Sequence, residues 1–360
     1  GEFSDLVWEM QGELGTSHCY EFGGDYRKSN QYNMGKLGCG YKLSADGKYF
    51  IFENILYGES GDKNEVSPLL APGVNIENGD HLIAVNGTKI DKNIHPRELL
   101  VNYPDQDVCL TIRKKNEKKN KEVVVKTLGF ESPLMYRNWV ETNKEFVHKA
   151  GKGKIGYIHI PNMGNYGFAE FHRNYLTEYK YDAMIVDVRY NGGGYVSQLL
   201  LEKLNRKIIG YDTIRWSKHA ESYPSEAVHG PIVALTNEFA GSDGDIFSHS
   251  FKLMKIGKLV GKRTWGGVIG INGQYSLADG TITTQPEYSF WFKDVEWGVE
   301  NYGTDPDIEV DIAPQDFVKG TDPQLEKAIE VALDELKKAP VKRPKFDKKP
   351  DLSLPKLPKQ

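Results

Sequence analysis

Ile232-Val-Ala-Leu-Thr-Asn-Glu-Phe-Ala-Gly-Ser-Asp-Gly-Asp-Ile-Phe247 passes from one kind of local structure to another within a few residues. The apolar run Ile232–Leu235 has strand character. Beyond it, Ile246, Phe247, Ser250, Phe251 and Met254 fall on one face of a helix. Between them Gly241-Ser-Asp-Gly244 is small and flexible enough to hold a sharp turn. Ser242 is therefore expected at the carboxyl end of a strand and the start of a helix. Its hydroxyl would be exposed there, with backbone amides behind it pointing at whatever the hydroxyl attacks. This is the mechanical requirement of a nucleophile elbow, without the Gly-x-Ser-x-Gly string that usually marks one. The same four residues also make an ordinary turn.

Around this stretch the chain reads as α/β. Ile155–Ile160 and Ala183–Val188 are compact apolar runs of the kind buried on both faces of a sheet. Helical stretches near 167–180 and 196–206 separate the strands, and Leu259-Val260 continues the series, so the spacing predicts parallel pairing with right-handed crossovers. A last helix is capped by Asp322, opens on Pro323 and carries Leu325, Ile329, Leu333 and Leu336 as its buried stripe. From Ala339 onward Pro and Lys dominate, and a disordered tail over 339–360 is expected.

Towards the N-terminus the pattern is different. Between Gly38 and Leu128 short strands alternate with turn residues: Tyr49–Ile55, then Gly79–Gly87 closed by an Asn-Gly turn. A short helix over Arg97–Val101 and strands over Val108–Ile112 and Val123–Thr127 follow, with the basic Arg113–Lys121 as a solvated hairpin tip. Residues 129–153 form a helical connector. Residues 1–36 are aromatic and Gly-rich, and a helix ending near Gly15 leaves Ser17 and His18 on a loop.

With 360 residues the chain is long enough for two or three domains. A net charge of -4 with 27% charged residues argues against nucleic acid or a membrane surface as partner. No apolar run approaches the length needed to cross a bilayer. Cys19, Cys39 and Cys109 are widely spaced, form no metal-type pair and favour a reducing, cytoplasmic compartment. The chain begins Gly1-Glu-Phe without an initiator Met and reads as a fragment, so a missing leader says nothing about export.

Two further stretches carry chemistry. Asp187-Val-Arg-Tyr-Asn-Gly-Gly-Gly194 ends a buried strand in a glycine run. It suits a tight turn or a nest of backbone amides for an oxyanion; no Gly-Lys-Ser/Thr follows to make it a nucleotide loop. Trp297-Gly-Val-Glu-Asn-Tyr-Gly303 sets Glu300 among aromatics and turns, as a surface carboxylate or as an acid that orients another group.

Pro72-Gly73, Gly79-Asp-His-Leu-Ile83 and Val85-Asn-Gly87, before a helix and two strands, resemble a PDZ domain, which binds peptide tails by strand addition. Leu37-Gly-Cys-Gly-Tyr41 stands where that family places its carboxylate-binding loop, and matches it loosely. Thr16-Ser-His-Cys-Tyr-Glu21, Asn191-Gly-Gly-Gly194, Ala240-Gly-Ser-Asp-Gly-Asp245 and Gly298-Val-Glu-Asn-Tyr-Gly-Thr-Asp-Pro-Asp307 occur in that order around it. Together, from Leu6 to Leu336, they resemble the core of the tricorn proteases, relatives of the tail-specific, C-terminal-processing serine proteases.

The resemblance implies a mixed fold: a PDZ domain (37–128) between an N-terminal segment (1–36) and an α/β domain of crotonase or Clp-protease type (154–338). It implies a serine endopeptidase that cuts oligopeptides through an acyl-enzyme, with no metal or cofactor. Ser242 is then the nucleophile, His18 the base, and Ser17 and Glu300 complete a tetrad. The amides of Gly194 and Asp243 are the oxyanion donors. Asp212, in Gly210-Tyr-Asp-Thr-Ile-Arg215, is a pocket residue favouring Lys or Arg before the cleaved bond, unless Arg215 pairs with it. Peptides are the expected partners, and the family implies a homo-hexamer with apolar surface such as Tyr288–Phe292 left over for assembly. The β-propellers that precede this core in the family are absent from the sequence. Two rivals remain: a PDZ-bearing peptide-binding scaffold with a vestigial site, and an acyl-thioester enzyme on the same α/β fold.

Overall fold

A computed structural model describes residues 1–24, 32–58, 66–214, 216, 220–272, 276–346 and 353–355. The chain divides into two compact units. One comprises Gly1–Gly15, Cys19–Phe146 and Ile271–Gln285; the other Thr16–His18, Val147–Gly270 and Pro286–Gln360. The division differs from the linear one expected from sequence. The N-terminal segment is shared out, with only Thr16–His18 belonging to the second unit.

In the first unit α1 (Glu2–Gly12) leads into β1 (Glu21–Gly23). A six-stranded sheet follows, built from β2 (Gly40–Leu43), β3 (Phe50–Glu53), β4 (His81–Val85), β5 (Thr88–Lys89), β6 (Asp107–Arg113) and β7 (Lys121–Lys126). The main path runs β2-β3-β4-β6-β7, with β5 hairpinned onto β4. Asn86 and Gly87 both take positive φ between β4 and β5, the twist that a two-residue hairpin needs. Alternation sends Val108, Leu110 and Ile112 of β6 into a core with Phe50, Phe52 and Leu82. The short helix of this region is a 3₁₀ turn over Pro96–Leu100, because five residues are too few to sustain α-helical bonding. The basic hairpin tip is also less solvated than expected, since Lys114 pairs with the buried Asp80 at 2.9 Å. Ahead of β2, the Gly38 amide donates to the Glu131 carboxylate at 2.9 Å.

The connector is α2 (Ser132–Ala150). The second unit continues with β8 (Ile155–His159), α3 (Asn165–Glu178), β9 (Ala183–Asp187), α4 (Ser197–Leu204), β10 (Gly210–Thr213), β11 (Ala220–Tyr223), β12 (Ile232–Thr236), α5 (Asp243–Leu253) and β13 (Gly257–Gly261). β14 (Thr281–Thr283) returns to the first unit, where it pairs with β1. β15 (Ile308–Glu309), α6 (Pro314–Lys319) and α7 (Pro323–Lys338) complete the second. Its sheet has the order β15-β13-β12-β9-β8, parallel throughout. Every residue of β8, β9 and β12 is buried, as their unbroken apolar runs predict. Phe171 and Tyr175 of α3, Leu200 and Leu204 of α4, and Phe247 and Phe251 of α5 pack with Ile158, Val186 and Ala234 of the strands.

The Asp322 side chain caps α7 by accepting from the Leu325 amide at 2.9 Å. Its buried stripe is Leu325, Ala328, Ile329 and Ala332, with Leu333 and Leu336 only half-buried. Small alanines face the sheet because the helix approaches it closely. The Lys/Pro-rich tail is not wholly detached: Arg343 bonds Asp182 at 2.7 Å and the Phe346 ring meets Tyr211 edge-on. Within Tyr288–Phe292, Tyr288 and Trp291 are exposed while Phe292 is buried. Among the described residues no helix is long and apolar enough to cross a membrane.

Candidate active site

Open parallel sheets collect ligands at the carboxyl ends of their strands. Here β9 and β12, adjacent in the sheet, end in the two glycine-bearing loops. Ser242 lies between β12 and α5, half-buried, with φ 59° and ψ -122°. A side chain at positive φ is strained by roughly 1–3 kcal/mol, and such strain gathers at functional sites. The turn is held by Gly244 N–H donating to Gly241 O (2.8 Å) and Ile246 N–H to Ser242 O (3.1 Å).

The two loops are laced together. The Gly241 amide donates to Asn191 O at 3.0 Å, and the buried Asn237 side chain accepts from the amides of both Tyr190 and Phe239. Gly193, at φ +77°, lies against the serine: a Cβ there would come within 2.5 Å of Ser242 Cβ and 3.0 Å of its Oγ. The amide of Gly193 is taken by Asn191 Oδ1 and that of Gly192 by Pro161 O. Among the described residues the Gly194 amide takes no partner. The Asp243 amide is at the first position of α5, where no carbonyl one turn back exists to accept it. Gly194, Ser242 and Asp243 line one cavity, whose apolar wall includes Leu201, Ile246, Val268 and Phe290. The Asp243 carboxylate is buried and turned aside, accepting from the amide and the hydroxyl of Ser197. Burial raises its pKa.

Ser17, His18 and Glu300 come together although 283 residues separate Ser17 from Glu300. Glu300 Oε1 accepts from the Ser17 amide (2.7 Å) and the Thr16 hydroxyl (3.4 Å). Its Oε2 accepts from Ser17 Oγ (3.1 Å) and from the amides of Val268 (2.7 Å) and Ile269 (3.1 Å). Ser17 Oγ has one hydrogen, and a carboxylate can only accept it. The 3.0 Å contact between His18 Nδ1 and Ser17 Oγ is then a donation from the ring. That fixes the proton on Nδ1 and leaves Nε2 as the basic nitrogen. Burial lowers the His18 pKa below its ordinary 6.5, and the Glu300 charge opposes the shift without cancelling it. The imidazole is neutral at pH 7.

Trp265 connects the two halves. Its amide donates to Ala240 O at 3.0 Å, its ring lies over Gly241, and the His18 ring meets it edge-on at 5.3 Å between centroids. Sequence reasoning missed Trp265, the Val268 and Ile269 amides, and the fully buried Asp245, whose pKa burial pushes up to about 6. Their signal was Trp265-Gly-Gly267 directly after β13, a turn where backbone passes close to other backbone.

One expected residue is not brought here. Asp212 is exposed on β10 opposite Glu221 of β11 and is not among the residues that line the cavity beside Ser242. Arg215, the alternative partner for Asp212, lies outside the described residues.

The second unit thus combines a parallel sheet, a serine at a strained strand-to-helix turn and a carboxylate hydrogen-bonded through a hydroxyl to an imidazole. Residues 154–310 match peptidase family S41, and residues 35–129 the tricorn protease PDZ domain. The chain thus carries a peptidase family S41 domain together with a tricorn-type PDZ domain. It is 46% identical over 344 residues to the tricorn protease of Thermoplasma volcanium, covering 96% of this chain and 33% of that one. With the putative tricorn-like protease C-terminal subunit of Sulfurisphaera tokodaii it shares 49% identity over 335 residues, 93% of this chain and 38% of the other. The crystal structure of the tricorn protease superposes with a TM-score of 0.88 at 42% identity, over 93% of this chain and 32% of that chain. The chain thus spans about a third of the length of these relatives.

Proposed function

We propose that this chain is a serine endopeptidase acting through a Ser-His-Ser-Glu tetrad, with no metal or cofactor. Ser242 Oγ attacks the scissile carbonyl carbon of a peptide while His18 Nε2 takes the hydroxyl proton. The carbonyl oxygen becomes an oxyanion held by the Gly194 and Asp243 amides. Collapse breaks the C–N bond, the leaving amine takes the proton from His18, and the acyl group stays on Ser242. Water, deprotonated by the same nitrogen, then attacks the ester; the acyl–Oγ bond breaks, His18 returns the proton to Ser242 Oγ, and the carboxylic acid product leaves, ionising in solution. Ser17 and Glu300 keep the ring in the tautomer that accepts at Nε2 and stabilise the imidazolium.

The observation that carries this reading is the Ser17 hydroxyl, hydrogen-bonded between Glu300 Oε2 and His18 Nδ1. A vestigial site would have no reason to retain a polar chain that acts only by setting a tautomer. Against the scaffold reading, the Gly38 amide at the expected carboxylate-binding loop is already taken by Glu131. The acyl-thioester reading gains no supporting contact.

The wall of Leu201, Ile246, Val268 and Phe290 suits an apolar side chain before the cleaved bond. A preference for Lys or Arg depends on Asp212, which would have to reach the cavity from a neighbouring copy in a homo-oligomer such as the family's hexamer. Among the described residues Cys19, Cys39 and Cys109 form no disulfide, which fits a reducing, cytoplasmic setting. Ser242→Ala tests the assignment: it should abolish both peptide turnover and fluorophosphonate labelling while leaving the circular dichroism spectrum unchanged. Turnover at the parent rate would end the proposal.

A further inference from the structure

Asp245 has no step in the reaction above, yet its carboxylate lies fully buried three residues from Ser242. Its Oδ1 accepts from the Gly266 amide at 2.8 Å and its Oδ2 from the Gly267 amide at 3.3 Å. Asp245 itself stands in the first turn of α5, the helix that begins at Ser242. Its carboxylate therefore joins two separate pieces of chain. One is the start of α5, with Ser242 at φ 59°. The other is the segment Thr264–Ile269, which lays Trp265 against Gly241 and His18 and aims the Val268 and Ile269 amides at Glu300. That segment is fastened at its other side too, where Gly266 O accepts from the Asn301 amide at 2.7 Å. Nucleophile, imidazole packing surface and relay carboxylate are therefore all joined through one acceptor.

We propose that Asp245 is a positioning residue: by accepting from Gly266 and Gly267 its carboxylate holds the first turn of α5, which begins at Ser242, and the Thr264–Ile269 segment in one frame, so that hydroxyl, imidazole and Glu300 keep a fixed relation. The chemistry of the position calls for a carboxylate. Both oxygens face N–H donors, and an ionised acid is the side chain that accepts on both without presenting a hydrogen of its own. An amide of the same shape would turn an NH₂ towards a backbone N–H and release one side of the frame. Core packing alone would tolerate that with a loss of stability. A reacting hydroxyl would not, because a displacement of about 1 Å costs roughly a hundredfold in rate.

This inference rests on the reading of Ser242 as nucleophile, and the experiment separates the two. Asp245→Asn is compared with the parent and with Ser242→Ala in the full chain, at a temperature where near-ultraviolet circular dichroism shows each folded. Fluorophosphonate labelling rate, kcat and KM on a fluorogenic peptide are measured together. The expected result is a loss of about a hundredfold in labelling rate and kcat with KM within about threefold. A folded Asp245→Asn protein that labels at the parent rate, whatever its melting temperature, overturns the proposal. Should that variant not fold, Asp245→Glu keeps the charge but moves both oxygens out of register with the Gly266 and Gly267 amides and should slow labelling several-fold at unchanged KM; parent-like labelling there is equally decisive against it. Labelling that survives in Ser242→Ala overturns the nucleophile reading and this inference with it. Loss of labelling in Ser242→Ala beside parent-like labelling in Asp245→Asn overturns this inference alone.

Discussion

Replacing Glu300 by Gln tests the relay with almost no change of shape. The carboxylate accepts five donors, two on Oε1 and three on Oε2. Glutamine keeps one acceptor oxygen and turns an NH₂ towards the other set. With its oxygen on the Oε2 side, it retains Ser17 Oγ, Val268 and Ile269, sets its NH₂ against the Ser17 amide, and Thr16 can reverse its hydroxyl to accept. That orientation costs the fewest bonds: one charge-assisted contact of about 1.5–3 kcal/mol, or roughly 10- to 150-fold in rate if the loss falls on the transition state. The half-exposed position of Glu300 favours the lower part of this range. Removing the charge also removes what opposes the downward pKa shift of His18, so the acid limb of kcat/KM should move to lower pH. The assay is hydrolysis of a fluorogenic peptide from pH 4 to 9, with the labelling rate in parallel. A variant within about threefold of the parent in kcat/KM, with an unmoved acid limb, would refute the relay.

Burial holds the His18 pKa below 6.5, and a general base works in its neutral form. Parent kcat/KM should accordingly rise with pH through a midpoint below 6.5 and then level off; a midpoint at or above neutrality contradicts the assignment of His18. Asp212→Asn should lower kcat/KM for peptides with Lys or Arg before the cleaved bond and spare apolar ones. For an aspartate as exposed as this one the difference is at most about 1 kcal/mol unless a neighbouring copy covers it. Equal loss on both substrate sets, or a protein that light scattering shows to be monomeric while keeping its basic preference, removes Asp212 from the pocket.

What could be read from sequence was what short-range physics dictates. Ile155–Ile160, Ala183–Val188 and Ile232–Leu235 announced buried parallel strands because no polar residue interrupts them, and Asn86-Gly87 announced its hairpin because both residues tolerate positive φ. Ser242 was legible as the one hydroxyl placed between strand and helix by small residues. Glu300 and His18 were not legible from their own surroundings; the resemblance supplied them, and the hydrogen bonds give the geometry. Trp265, the Val268 and Ile269 amides and Asp245 stayed hidden because backbone donors carry no side-chain signature, and a buried acid looks in sequence like any surface acid. Asp212 went the other way. Position in the chain suggested a pocket residue, whereas in the fold it is an exposed residue of the β10–β11 hairpin.

The separation of Ser17 from Glu300 along the chain bears on how such a protein is made. Closing a loop of 283 residues costs about 3 kcal/mol more than closing one of ten, and the bonds at Glu300 repay it only once both ends are present. A ribosome extends the chain from the N-terminus, so Ser17 and His18 emerge first and wait while the PDZ domain and most of the parallel sheet are synthesised. Between the emergence of Ser242 and that of Glu300, the His18–Ser17 pair has no carboxylate behind it.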